Sequence, residues 1–328
     1  MRCTIPESPM SDSPIILCPG QGAQAVGMGL AWAKASSEAR AVFASADEIL
    51  GDRFGATLSS LCFEGPAERL NRTDVSQPAI YVTSVACWRG LLAKWGMSPG
   101  EAKFTATAGL SLGEYTALHI AGCFNFESGL ELVALRGRAM QDAAEAVPSG
   151  MLALIGADES QASVVCDQAR EHGVLVCANF NAPGQVVLSG DKAAIERAAG
   201  VAQTMGLRAT PLPVAGAFHS PLMQPAASRL SEALASKTFC EPVCPVVSNV
   251  TARPHAGSGG RAIVEEIKIR LVEQLTAPVR WEASCRWLAG ISAGAWQELA
   301  PGKTLSGLMR RIDKNVKVVS HDEPSQEV

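Results

Sequence analysis

Apolar residues along this chain recur at two alternating spacings. Short apolar blocks, such as Ile15-Ile16-Leu17-Cys18, read as buried strands. Longer stretches with apolar positions three and four apart read as helices. On this pattern a strand at 15–18 runs into Pro19-Gly20-Gln21-Gly22, helical patterns cover 28–50 and 77–95, and a β-leaning block at 104–108 ends in Gly109. A helix is predicted to begin just after Ser111, and another covers 126–146. Alternation of this kind defines an α/β fold.

Residues 150–214 carry a different rhythm. A strand at 151–155 and a helix at 159–171 are followed by strands at 174–178 and 185–189 around Asn181-Ala182-Pro183-Gly184. A helix at 191–205, with Asp191 as its N-cap, and an extended piece at 208–213 complete the unit. The order βαββαβ is that of a ferredoxin-like domain. The pattern therefore places a small inserted domain at 148–215 within a larger α/β domain made of 1–147 and 216–328. After Ser220 the chain returns to helix, then a strand at 243–248, a Gly-rich loop at 254–260, and helices at 262–275 and 281–288. Residues after about 320 read as a disordered tail.

Composition narrows the function. A net charge of −4, with scattered basic residues, gives no footprint for nucleic acid. No apolar run is long enough to span a bilayer. The first 12 residues lack the pattern of a signal peptide, residues 1–9 read as an unstructured extension with Met10 as an alternative start, and a short organelle-targeting segment stays open. A cytoplasmic protein is expected. The ten cysteines form no CxxC pair and no zinc spacing, so buried thiols and no metal are expected.

Between a predicted strand and a predicted helix lies GLSLGEY at 109–115. G-x-S-x-G in that context is a nucleophile elbow, a sharp turn that presents the Ser111 hydroxyl at a helix N-terminus. Ser111-x-x-Glu114 is also a capping box, which would make Ser111 a helix start only. A cap needs no flanking glycines, and this site has two. A serine nucleophile needs a base, and there are five histidines. His119 lies about 12 Å from Ser111 along a shared helix. His172 ends a helix of the small domain, His255 sits in the Gly-rich loop and His321 in the tail. His219 remains, beside the helix-start pair Ser220-Pro221, which favours a neutral ring. A packed structural histidine is the competing reading.

One charge is out of place. Arg138 has Asp142 four residues on and reads as a surface pair. Arg136 projects from the apolar face of the same helix, among Leu132, Val133, Ala139 and Met140. A buried guanidinium needs an anion, supplied by an internal acid or by the carboxylate of a substrate.

Together these residues resemble the acyltransferases that load acyl carrier proteins, malonyl-CoA:acyl carrier protein transacylases and the acyltransferase domains of fatty acid and polyketide synthases. The resemblance runs through PGQGAQ at 19–24, QPA at 77–79, GLSLGEY at 109–115, LRGRAMQ at 135–141, NFNAPGQVVLSG at 179–190, AFHS at 217–220, SNVTARP at 248–254, QLTAPVRW at 274–281 and ELAPGKTLSGLMRRI at 298–312. It implies a hydrolase-like α/β domain with a ferredoxin-like insert. It implies Ser111 as the acylated nucleophile, His219 as its base, and the backbone N–H groups of Gln21 and Leu112 as oxyanion hole. Arg136 would hold a malonyl carboxylate, the side-chain carbonyl of Gln274 would orient His219, and Asn179 would lie near the site. Leu112 and Phe218 match the malonyl rather than the methylmalonyl pattern. The family usually has His where this chain has Leu110, a change that should leave the base untouched.

The implied reaction is transfer of malonyl from coenzyme A to the phosphopantetheine thiol of an acyl carrier protein by a monomer, with no bound cofactor, supplying fatty acid or polyketide extension. Carrier proteins are generally acidic, so Arg310, Arg311 and Lys314 are docking candidates, with a solvated helix end as the other reading. The rivals are a serine hydrolase or thioesterase, a transferase of other acyl groups, and a non-catalytic carrier-binding subunit.

Overall fold

A computed structural model describes residues 13–325. The expectations for residues 1–12, an unstructured extension and Met10 as a start, lie outside the described residues. Nine strands follow one another: β1 Ile15–Cys18, β2 Ala106–Gly109, β3 Ser149–Ile155, β4 Leu175–Ala182, β5 Gln185–Asp191, β6 Arg208–Pro211, β7 Val246–Val247, β8 Trp296–Leu299 and β9 Val318–His321. They form two sheets. One has the order β7-β2-β1-β8-β9 and is parallel throughout. All four residues of β1 and of β2 are buried, as strands covered by helices on both faces must be.

The second sheet has the order β4-β5-β3-β6 and is antiparallel. Counted within the unit, that is second, third, first, fourth, the ferredoxin-like arrangement expected from the sequence. Helices Glu159–Arg170 and Lys192–Thr204 close one face over an apolar core that includes Leu152, Leu154, Val165, Leu175 and Leu188. The other face, with Met151, Ala153 and Val187, joins the core of the large domain, and the free edge of β4 pairs with that domain: the Phe180 N–H donates to the Val279 carbonyl at 2.9 Å, and the Val279 N–H to the Ala178 carbonyl at 2.8 Å. Among the described residues no helix is long and apolar enough to cross a membrane.

Several expectations need correction. The 28–50 stretch is two helices, Leu30–Ala35 and Ser37–Leu50, broken at the extended Ser36, whose hydroxyl caps the second. Asp191 does not cap its helix; its carboxylate accepts from the Val174 N–H and ties β5 to the start of β4. The chain beyond 320 is no disordered tail up to 325. Ser320 and His321 belong to β9, with the Ser320 hydroxyl donating to Glu298 at 2.6 Å and the His321 carbonyl accepting from the Trp32 indole at 2.9 Å. β8 itself was not expected, because Gln297 and Glu298 interrupt its apolar pattern. Glu298 is nonetheless buried, its carboxylate accepting from the N–H groups of Leu305 and Ser306 at the start of helix Thr304–Ile312.

Candidate active site

Three neighbouring parallel strands deliver their C-terminal ends to one place. β1 leads to Gln21, β2 to Ser111 and β7 to Asn249. In open α/β sheets ligands bind at this end. Ser111 has φ 51°, the left-handed region that a side chain rarely occupies. The flanking glycines are required by contact. A Cβ on Gly109 would come within 1.9 Å of the Gly113 carbonyl carbon, and one on Gly113 within 2.1 Å of the Cys18 oxygen. Asn249 clamps the turn from below: its Oδ1 accepts from the Ser111 N–H at 2.6 Å and its Nδ2 donates to the Gly109 carbonyl at 2.7 Å.

The capping-box reading of Ser111 and Glu114 fails here. Helix Gly113–Ile120 has no side-chain cap. Glu114 instead points inward, fully buried, and accepts from His255 Nε2 at 2.8 Å, Gln274 Nε2 at 2.6 Å and the Asn249 N–H at 3.1 Å.

His219 Nε2 lies 2.8 Å from Ser111 Oγ. Its Nδ1 lies 2.7 Å from the main-chain carbonyl of Gln274. A carbonyl only accepts, so Nδ1 carries the hydrogen and Nε2 presents its lone pair to the hydroxyl. Burial, and then the nearby Arg136 cation, lowers the His219 pKa to about 4, so the ring is neutral at neutral pH. The Gln274 expectation is corrected in one respect: the group that holds the ring is the backbone carbonyl. The side-chain carbonyl is turned away, to Arg136, because the side-chain NH₂ is taken by Ser111 O at 3.1 Å and by Glu114.

Arg136 is 1% exposed. Its Nη1 donates to Gln77 Oε1 at 2.6 Å, and its Nη2 to Gln274 Oε1 at 2.8 Å and Ser111 Oγ at 3.1 Å. Its Nε has no partner among the described residues, and the Tyr115 ring lies 5.5 Å from its guanidinium carbon. No acid pairs with it directly among the described residues. Burial pulls its pKa below the ordinary value, with Tyr115 and Glu114 opposing. The internal-acid alternative is therefore not what the structure contains; neutral oxygens surround the guanidinium.

The hydroxyl, imidazole and guanidinium open onto one cleft of about 470 Å³ between the two sheets. Gln21, Leu110, Phe218 and Asn179 also line it, as do Met140, Met151 and Leu212. β4 carries a bulge between Cys177 and Asn179, the device that re-aims a strand residue. Leu112 is buried beneath the site. The backbone N–H groups of Gln21 and Leu112 donate to nothing among the described residues, which leaves both for a ligand oxygen.

The acyl transferase domain family matches residues 15–311. The chain belongs to this family. The malonyl CoA-acyl carrier protein transacylase of Salmonella typhimurium is 39% identical to it over 308 residues, covering 94% of this chain and 95% of the relative. The crystal structure of malonyl-CoA:acyl carrier protein transacylase from Xanthomonas oryzae is similar with a TM-score of 0.87 and 40% identity, covering 96% of each chain. A type II PKS acyl-carrier protein in complex with its malonyl-transacylase is similar with a TM-score of 0.86 and 36% identity, covering 95% and 96%.

Within this acyltransferase the other histidines are placed elsewhere. His119 Nδ1 faces the Phe124 carbonyl at 3.0 Å, and His321 Nε2 faces Gln297 at 2.6 Å. His255 is not a loop histidine in solvent but is buried against Glu114. Arg311, a docking candidate, is held by Gln185 at 2.7 Å and the Pro183 carbonyl at 3.2 Å, so it ties the last helix to the β4–β5 turn. Gln77, Glu114, Asn249 and Asn181 were missed as site residues. Asn249 carried a usable signal, a polar residue at the end of a strand beside the nucleophile's strand. Asn181 lines the cleft, and its buried Oδ1 has no partner among the described residues.

Proposed function

We propose that this acyltransferase moves malonyl from malonyl-CoA to the phosphopantetheine thiol of an acyl carrier protein through an ester on Ser111. The observation that carries the substrate is Arg136: a buried cation without an acid partner, 3.1 Å from the serine oxygen. A carboxylate arriving on the acyl group supplies the missing anion and replaces the Ser111 contact on Nη2. Each charge-assisted bond it makes is worth about 1.5–3 kcal/mol, enough to favour malonyl over acetyl by about 10–100-fold.

Ser111 Oγ attacks the thioester carbon as His219 Nε2 takes its proton. The carbonyl oxygen becomes an oxyanion held by the Gln21 and Leu112 N–H groups. As the C–S bond breaks, His219 returns the proton to the sulfur of coenzyme A. The carrier's thiol then gives its proton to His219 and attacks the ester, and Ser111 recovers the proton. Phe218 and Asn179 shape the acyl end of the cleft. Asn181 lines the same cleft. The steps use side chains and backbone amides only, so no bound cofactor is required. All of these residues come from one chain, which supports a monomer as the working unit. A reducing compartment such as the cytoplasm fits a chain whose nine described cysteines are all free thiols.

The test is intact-protein and peptide mass spectrometry after mixing with malonyl-CoA. A malonyl mass on Ser111 that moves to a holo acyl carrier protein is expected, with none in Ser111→Ala. Release of free malonate without carrier acylation would make the protein a hydrolase, and no adduct would make it a binding subunit.

A further inference from the structure

Gln274 is an amide whose orientation is decided by its partners. Its NH₂ end lies 3.1 Å from the Ser111 carbonyl and 2.6 Å from Glu114 Oε2, both acceptors. Its Oε1 end lies 2.8 Å from Arg136 Nη2, a donor. Reversed, the amide would set NH₂ against the guanidinium and oxygen against two oxygens. The strongest of these contacts is with a carboxylate, so Glu114 decides which end of Gln274 faces Arg136.

Glu114 is itself fixed. His255 donates to Oε1, and the Asn249 N–H shares Oε2 with Gln274. Glu114, His255, Asn249 and Gln274 are all buried. A glutamine at 114 could keep these bonds, since His255 Nδ1 has no partner among the described residues and the ring could turn its Nε2 into an acceptor, whereas a leucine there would offer none of the three donors an acceptor and leave the Gln274 amide unfixed. The carboxylate also places negative charge one residue away from the guanidinium without touching it. Arg136 is thus partly balanced, and its edge toward the cleft stays open.

We infer that Glu114 is a positioning residue for carboxylate-bearing acyl groups, acting through Gln274 to aim the Arg136 guanidinium at the acyl carboxylate. This rests on Arg136 holding that carboxylate. The His219 ring is held by the Gln274 main-chain carbonyl, which a side-chain change at 114 or 274 leaves in place, whereas the Gln274 NH₂ also meets the Ser111 carbonyl, so the ratio of the two acyl groups, and not the absolute rate, reads the aim of Arg136.

The experiment compares rates of Ser111 loading from malonyl-CoA and acetyl-CoA in the wild type, Glu114→Leu and Gln274→Met. Glu114→Leu is expected to lower the malonyl-over-acetyl ratio at least fivefold. In an Arg136→Ala background the same change should leave the ratio as it is. A smaller fall in the ratio, or an equal fall for both substrates, overturns the inference. Should Glu114→Leu fail to show a cooperative thermal transition, Gln274→Met decides on the same fall in the ratio, since it cuts the relay without altering Glu114. A wild type with no malonyl preference would instead overturn the reading of Arg136, and needs no variant to see.

Discussion

Arg136 and Arg138 lie two residues apart on helix Phe126–Ala146 and meet their charges in opposite ways. Arg138 has a side chain 58% exposed, bonds Asp142 at 2.8 Å and reaches Asp74 at 3.6 Å. Arg136 is buried among two amide oxygens and a hydroxyl. Between them is Gly137, whose absent Cβ would lie 2.7 Å from the Thr73 carbonyl. The close approach at that glycine brings helix Thr73–Lys94 near enough for Gln77 to reach Arg136. A surface pair satisfies its charge within the fold. The buried face meets its cation with neutral oxygens, gives Nε no partner among the described residues and leaves the charge open, which is what an anionic ligand requires.

The contrast breaks most severely at His219. Its replacement by Ala should lower malonyl transfer by about 10⁴-fold or more, since nucleophile and base act as a unit; a loss under tenfold in steady-state kinetics would remove the ring from the mechanism. Acidity sharpens the comparison next. Only the neutral ring accepts a proton, so kcat/KM should rise with pH through about 4 and be level by pH 6.5, and Arg136→Ala, by removing a cation, should move that limb upward. A limb at the ordinary histidine value in the wild type would contradict the burial argument.

The same shift has a stability consequence. The unfolded ring protonates near its ordinary value of about 6.5 and the folded one near 4. Between those values the unfolded state holds more protons, so stability should decline as pH falls from 6.5 toward 4 and level off below. His119, also lowered to about 4 by burial, adds to the decline. Urea titrations across that range would check it.

Asn249→Ala removes two buried bonds from the elbow and should cost about 2–3 kcal/mol in chemical denaturation. On the exposed face, Arg138→Ala should change stability by less than about 1 kcal/mol, and leave the malonyl-over-acetyl ratio unaltered.

The sequence made some of this legible for physical reasons. G-x-S-x-G is dictated by backbone atoms about 2 Å from where a Cβ would sit, so it survives as a local signal. The antiparallel sheet shows in the alternating strand and helix rhythm of 150–214. Arg136 stands out because its neighbours at helical spacing are apolar. Glu114 was hidden, because Ser-x-x-Glu reads the same whether the carboxylate caps a helix or turns into the core. A main-chain carbonyl such as that of Gln274 has no residue signature at all. His255 was read from the glycines around it, while its position is set by a distant acid. β8 and β9 were missed because a four-residue strand with a buried glutamate and a half-buried strand beyond it show neither apolar continuity nor clear alternation.

The account turns on a buried cation that selects a carboxylate for the serine beside it. Equimolar malonyl-CoA and acetyl-CoA, mixed with wild type and with Arg136→Ala and read by intact mass at Ser111, test this in one spectrum each. Malonyl should dominate on the wild type, and the ratio should fall by about 10–100-fold in the variant. The same ratio on both proteins would contradict it.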